Sequence, residues 1–219
     1  MNHRIDEYPD LQFGSIYCIG RNYVKHIEEM KSEKTKDPVV FLKPRSSIIR
    51  SGEQVVLPSI STNVHHEVEL VALIGKETSH VSSDEALNSV HSIAVGLDLT
   101  ARDLQSEAKN AGLPWTLSKG LNTFAPLGNL VNYNTNGDVD IQNLAITVHV
   151  NGEIRQSGNT SEMIFSLSEI ISYLSSNFKL NPGDLIFTGT PEGVSQINKG
   201  DNIQATIGDN LSTLVIDVV

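Results

Sequence analysis

A single cysteine, Cys18, stands in 219 residues, so no disulfide can form within the chain. Aromatic residues are scarce, at 5%, which leaves aliphatic side chains to build the core. Positive charge is short as well: 16 Lys and Arg face 26 Asp and Glu, for a formal charge of −10. A chain so charged offers no basic field to a phosphate backbone, which excludes nucleic acid and anionic membrane as expected partners. Long apolar runs are also missing. No window approaches the ~18 apolar residues of a membrane span, and the first ten residues carry neither a basic region nor an apolar one of the secretory kind. A cytoplasmic protein is the expectation, with one domain over residues 1–219 and an N-terminal arm at 1–14. A chain of this length buries about 70% of its extended surface, so its fold needs neither a disulfide nor a structural zinc cluster.

What is present is a succession of short β-rich runs, at 15–19, 39–43, 54–57, 67–74, 92–99, 145–150, 185–188, 202–207 and 212–218. Their number predicts a sheet-built core. Asn151-Gly152, between Thr147-Val148-His149-Val150 and Glu153-Ile154-Arg155, is a strong hairpin signal, and Asn181-Pro182-Gly183-Asp184 is a turn. Helices are few. Ser82 with Glu85 and Ser166 with Glu169 fit capping boxes, the second leading into Leu167, Ile170, Ile171 and Leu174 at helical spacing. Thr100 is a candidate cap for a helix over 101–110 that ends near Gly112 and Pro114. A short helix is expected over 23–30, followed by a polar run at 31–37 that reads as a mobile loop, and 132–140 reads as a further loop. One α+β domain, mainly β, with a large and mostly antiparallel sheet, is the coarse expectation.

The chemistry concentrates where carboxylates interrupt apolar runs. In His65-His66-Glu67-Val68-Glu69-Leu70 the period of two puts Glu67 and Glu69 on one face of a strand, about 7 Å apart along the chain. Such neighbours raise each other's pKa unless a cation relieves them; an edge strand with a solvated acidic face is the plain alternative. Asp98 lies inside Ile93-Ala94-Val95-Gly96-Leu97-Asp98-Leu99, where a buried aspartate needs a partner, although capping the following helix is an equally ordinary role. Three acidic oxygen donors suit a hard cation such as Mg²⁺ or Mn²⁺ better than zinc. On the helix after Asp98, Arg102, Gln105 and Lys109 share one face, opposite Ala101, Leu104 and Ala108. Lys119 follows in what reads as a loop. His26 and Glu29 lie three apart, so the carboxylate can fix the imidazole tautomer and leave the other nitrogen as a base; a solvated helix face would carry the same pair. His65 and His66 are rated structural.

Together these windows resemble the fumarylacetoacetate hydrolase family, and in particular its short acylpyruvate hydrolase and oxaloacetate decarboxylase members. The resemblance rests on Cys18-Ile19-Gly20-Arg21-Asn22-Tyr23 with His26 and Glu29, Phe41-Leu42-Lys43-Pro44, His66-Glu67-Val68-Glu69-Leu70, the run from Gly96 to Gln105, Leu113-Pro114-Trp115-Thr116-Leu117-Ser118-Lys119, Val150-Asn151-Gly152-Glu153 with Gln156 and Asn159-Thr160, and Gly189-Thr190-Pro191-Glu192-Gly193-Val194. It implies a mixed β-sandwich roll with a few short helices, assembled as a homodimer. It implies that Glu67, Glu69 and Asp98 hold Mg²⁺ or Mn²⁺, that His26 and Glu29 activate water from a lid with Lys119 as a third catalytic group, and that Arg21, Arg102, Gln105 and Thr190 meet the oxygens of a small 2-oxo acid. The expected reaction is cleavage of an acylpyruvate to pyruvate and a carboxylic acid, with decarboxylation of oxaloacetate open to the same site. A 2-hydroxyhepta-2,4-diene-1,7-dioate-type isomerase or decarboxylase and a non-enzymatic metal-binding domain are the alternatives. The chain departs from the family pattern at Gly120-Leu121-Asn122-Thr123-Phe124 and at Ser195, both on the substrate side. Counting three carboxylates, one divalent ion, Arg102 and Lys119 gives a site of about +1.

Overall fold

The computed structural model describes residues 4–5, 8–133 and 139–219. Most of the 132–140 loop, at 134–138, and positions 1–3 and 6–7 of the N-terminal arm lie outside the described residues. The rest of the arm pairs Arg4–Ile5 with Tyr8–Gln12, and Ile5 is fully buried.

Two sheets make the core. The larger runs Val39–Lys43, Ile16–Gly20, Leu185–Phe187, Val68–Ile74, Val90–Leu97, Ala125–Leu127, Ile48–Arg50, with Val131–Asn132 also paired to Val90–Leu97. The smaller runs Glu153–Asn159, Ala145–Val150, Asn202–Ile207, Ser212–Val218, Gln54–Val55. Every residue of Val68–Ile74 is buried, because the strand is covered on both faces. Val68, Leu70, Ala72 and Ile74 share a cluster with Ile146, Val148, Ile203 and Ala205 of the smaller sheet, while Val71 and Leu73 pack with Ile5, Phe13, Cys18 and Phe187. The helix Leu167–Asn177 adds Leu167, Ile170, Ile171 and Leu174 to the first cluster. The result is mainly β with a few short helices.

The hairpin at Asn151-Gly152 forms with φ of 54° and 82° at the two turn residues, the left-handed pair that a tight two-residue turn requires. The Ser166 box closes in both directions with Glu169. Other local signals are overridden. Ser82 precedes a four-residue helix, Ser83–Ala86, but its hydroxyl caps nothing. The helix expected at 101–110 is Arg102–Ala111 with Ala101 at its N-cap; Thr100 and Ala101 instead pair with His65 and Val64 across a short ladder. Asp98 therefore caps no helix. The large sheet is mostly antiparallel, as expected, with two parallel pairings, Leu185–Phe187 with Ile16–Gly20 and Ala125–Leu127 with Ile48–Arg50. Those last two strands were not anticipated, each being three residues long and one containing Pro126.

One register positions the site. Val68–Ile74 and Val90–Leu97 are antiparallel with Val68 opposite Leu97, so Glu67 and Asp98, each just beyond its strand, face one another, and the Asp98 N–H donates to the Glu67 carbonyl at 2.8 Å. Glu67 thus precedes the strand rather than opening it.

Candidate active site and metal centre

The strand ends bring one carboxylate oxygen each of Glu67, Glu69 and Asp98 within 4.8 Å of one another, although these residues are only 5%, 1% and 1% exposed. Three buried carboxylates at this distance require positive charge. Glu67 pairs with Arg102 at 2.5 Å and with Lys119 at 2.9 Å; Asp98 pairs with Lys119 at 2.5 Å and Lys43 at 2.6 Å. Burial alone would raise the Glu67 carboxyl, but Lys119 and Arg102 outweigh it and hold the group well below the usual carboxylate range. Glu69 has no such partner and receives only the Gly189 N–H, at 2.8 Å. Burial, with Asp98 and Glu67 beside it, pushes its carboxyl well above the ordinary value. The Oδ1 of Asp98, buried beside Lys43, has no aligned hydrogen-bond donor. A carboxylate with no cation beside it, in a cluster of three hard oxygen donors, fits a divalent cation of the Mg²⁺ or Mn²⁺ type.

Lys119 corrects one reading. It sits at the end of a short helix, Thr116–Lys119, rather than in a loop, and its ammonium bridges Glu67 and Asp98. Burial lowers the affinity of its amine for a proton, but Asp98 and Glu67 more than restore it and the amine pKa is raised. Lys43 corrects the charge count. Its ammonium, in addition to meeting Asp98, donates to the carbonyls of Leu99 at 3.0 Å, Phe124 at 2.9 Å and Lys119. With Lys43 included, three cations match three carboxylates, and a divalent ion would bring the cluster to about +2 rather than +1.

A cavity opens onto this cluster. Arg21, His26, Glu67, Glu69, Arg102, Gln105, Lys119 and Thr190 all line it; Asp98 and Glu29 stand behind, each bonded to a lining residue. Arg102 donates to Gln105 at 3.0 Å, as expected for i and i+3 on one helix face. The helix Val24–Glu29 buries His26 and Ile27. His26 Nδ1 lies 3.0 Å from Glu29 Oε2, and Glu29 Oε1 accepts from the Gly193 N–H at 3.0 Å. Thr190 Oγ1 accepts from Gln156 Nε2 at 2.8 Å, which leaves its own hydroxyl proton for a ligand. Arg21 has φ of 62° and donates to the Glu33 carbonyl.

Two supporting residues escaped the sequence reading as site residues. Lys43, a charged side chain in an apolar strand, carried the same signal as Asp98. Gln156 donates to Thr190 and to the Pro191 carbonyl, and its own carbonyl oxygen meets His66 Nδ1 and the Val68 N–H. His66 is fully buried, with its second nitrogen 2.8 Å from Ser195 Oγ, so the serine that departs from the family pattern serves as a hydrogen-bond partner of that imidazole. Burial and Arg102 lower the His65 pKa to about 4, keeping it neutral. At the other departure, a Cβ on Gly120 would lie 2.7 Å from Pro44 Cδ.

The fumarylacetoacetate (FAA) hydrolase C-terminal family matches residues 15–219. The chain belongs to this family. It is 44% identical over 198 residues to oxaloacetate tautomerase FAHD1, mitochondrial, of Bos taurus, covering 90% of this chain and 89% of that protein. Among solved structures it is similar to fumarylpyruvate hydrolase from Pseudomonas aeruginosa in complex with Mn²⁺ and pyruvate, at 37% identity and a TM-score of 0.91, covering 99% of this chain and 94% of the other. It is also similar to 2-hydroxyhepta-2,4-diene-1,7-dioate isomerase from Mycobacterium marinum, at 36% identity and a TM-score of 0.83, covering 96% and 76%. The family is one of enzymes. Among the described residues no helix is long and apolar enough to cross a membrane.

Proposed function

We propose that this protein hydrolyses the carbon–carbon bond of acylpyruvates, releasing pyruvate and a carboxylic acid, with Glu67, Glu69 and Asp98 holding Mg²⁺ or Mn²⁺. The observation that carries the reading is the His26–Glu29 pair beside the carboxylate cluster in one cavity. A divalent cation, when bound there, supplies Lewis-acid stabilisation to the negative charge that develops on a 2-oxo acid. Glu29 holds His26 through Nδ1, so Nε2 is the nitrogen that takes a proton from water. Arg102, backed by Gln105, and Lys119 orient the substrate carboxylate, and the Thr190 hydroxyl donates to a carbonyl oxygen. Support for hydrolysis comes from the fumarylpyruvate hydrolase likeness, and for the metal from the Mn²⁺ in that relative.

A second reading has its own support. The tautomerase relatives at 44% identity favour keto–enol interconversion of oxaloacetate, in which His26 moves a proton to and from carbon without any attacking water. Decarboxylation of oxaloacetate would instead lose carbon dioxide and leave the enolate of pyruvate, the same leaving enolate as in acylpyruvate cleavage. Pyruvate release from a panel of acylpyruvates, with oxaloacetate enol decay followed in parallel and with Mg²⁺, Mn²⁺ or chelator present, separates these reactions. His26→Ala should reduce acylpyruvate cleavage by about 10²-fold or more. No pyruvate from any acylpyruvate, together with accelerated oxaloacetate tautomerisation, would replace the first reading by the second. Inertness toward both substrates would remove both.

A further inference from the structure

The cations around the cavity fall into two groups. Lys43, Lys119 and Arg102 each have a carboxylate partner. Arg21 and Lys109, which line the same cavity, have none among the described residues: Arg21 donates to the Glu33 carbonyl, and the Lys109 ammonium lies 5.2 Å from the centre of the Trp115 ring. In a chain with 26 acidic residues against 16 basic, two neighbouring cations without a carboxylate do not follow from composition. The Nε atoms of Arg21 and Arg102 are also buried without a hydrogen-bond partner, a cost that a bound acceptor would remove.

Position adds a direction. Arg102, Gln105 and Lys109 share one face of the helix Arg102–Ala111, so Lys109 lies about two turns beyond the residue that touches Glu67. It lines the inner cavity and a second hollow formed with Met30, Ser32, His65 and Ser106, as Arg102 and Gln105 do, but it is exposed where those two are buried, which puts it at the mouth. Trp115, itself 5.7 Å from the Phe41 ring, fixes where the ammonium can go. Burial, with Arg102, Arg21 and Lys119 nearby, lowers the Lys109 pKa: this amine is held among like charges.

We propose that Lys109, together with Arg21, forms a second anion subsite at the cavity mouth that receives the distal carboxylate of a dicarboxylic 2-oxo acid, making Lys109 a specificity-determining residue. The inference rests on the 2-oxo acid reading above and extends it: the inner end of the cavity takes the 2-oxo acid group, and the mouth selects what is attached to it. An inert matched pair tests this without turnover. N-oxalylglycine carries an oxalyl end and a distal carboxylate, and its glycine methyl ester carries the same oxalyl end and a neutral tail. Calorimetry on the Mn²⁺-loaded protein should show the dicarboxylate binding about tenfold more tightly than the ester, a gap that narrows with added salt. In Lys109→Met that gap should close, and in Lys109→Arg it should persist. Equal affinity for the two ligands in the wild type, an unchanged gap in Lys109→Met, or equal weakening of both ligands by that substitution would each overturn the subsite alone. Failure of both ligands to bind the wild type would overturn the 2-oxo acid reading and the subsite with it.

Discussion

The Gly193 N–H donates to Glu29 Oε1 at 3.0 Å, while the other oxygen of the same carboxylate lies 3.0 Å from His26 Nδ1. His26 and Glu29 sit on a helix of only six residues, Val24–Glu29, too short to hold its own geometry. Their position is set from the far end of the sequence, by the segment that also carries Thr190. The helix Val24–Glu29 and the segment Gly189–Gly193 are therefore one device.

Gly193→Ala should disable that device selectively. The residue has φ of +95°, and a Cβ there would lie 2.3 Å from the Arg155 carbonyl oxygen, so the turn must move and Glu29 loses its donor. Misplacing a catalytic group by about 1 Å costs on the order of 10²-fold. The kcat of the His26-dependent reaction should fall on that scale, while Mn²⁺ affinity by calorimetry stays within about twofold because the turn contributes no candidate ligand. Equal loss of metal and turnover would show that the turn supports the whole site instead.

Lys43→Met should cost stability. The substitution leaves Asp98 with one cation fewer and deprives the carbonyls of Leu99, Phe124 and Lys119 of a donor, all at a fully buried side chain. Removing one member of a buried ion pair costs about 3–5 kcal/mol. Urea unfolding of the metal-free protein should show that loss, and a variant within about 1 kcal/mol of wild type would mean that the cluster rearranges freely.

The sequence reveals a charged residue in an apolar run but not the register that assembles several of them. Glu67, Glu69 and Asp98 stood out because carboxylates interrupt strand-like segments, and His26 with Glu29 because three residues span a helical turn. The opposition of Val68 to Leu97 and the reach of Gly193 to Glu29 are set by tertiary packing, and neither leaves a local trace. Thr100 shows the converse. Its capping signal is genuine but loses to the ladder with His65, whereas Ser166 keeps its cap because Glu169 closes the box in both directions.

Ser166→Ala should lower stability by about 1 kcal/mol, the usual worth of an N-cap, with a defined pH dependence. The Ser166 hydroxyl and backbone N–H hold the Glu169 carboxyl below its usual value. A carboxyl whose folded pKa is depressed contributes stability above its unfolded pKa of about 4.3 and loses it as pH falls through the lower folded value. The difference between wild type and variant in urea unfolding should thus be larger at pH 7 than at pH 3. A difference independent of pH would assign the effect to the hydroxyl alone.

Lys119→Met and Glu69→Gln should move metal binding in opposite directions. Lys119 bridges Glu67 and Asp98, so its ammonium opposes any divalent cation brought to the same two carboxylates. Deleting that charge leaves the metal-free cluster at a formal −1, and Mn²⁺ affinity should hold or tighten. Glu69→Gln removes the carboxylate that has no cation beside it, takes the cluster to +1, and should weaken Mn²⁺ sharply. The same Glu69 variant should be at least as stable as wild type in chelator, because a neutral amide replaces a buried acid whose ionisation burial, Asp98 and Glu67 all oppose. Turnover should not follow metal affinity. Lys119→Met should raise the KM for an acylpyruvate and lower kcat, since the metal-loaded site falls from about +2 to +1 while the substrate carboxylate keeps its charge, and a neutral 1,3-diketone should be affected much less. If Lys119→Met weakens Mn²⁺ as severely as Glu69→Gln does, Lys119 is acting by holding Glu67 and Asp98 in place for the ion, and its electrostatic role toward the substrate falls away.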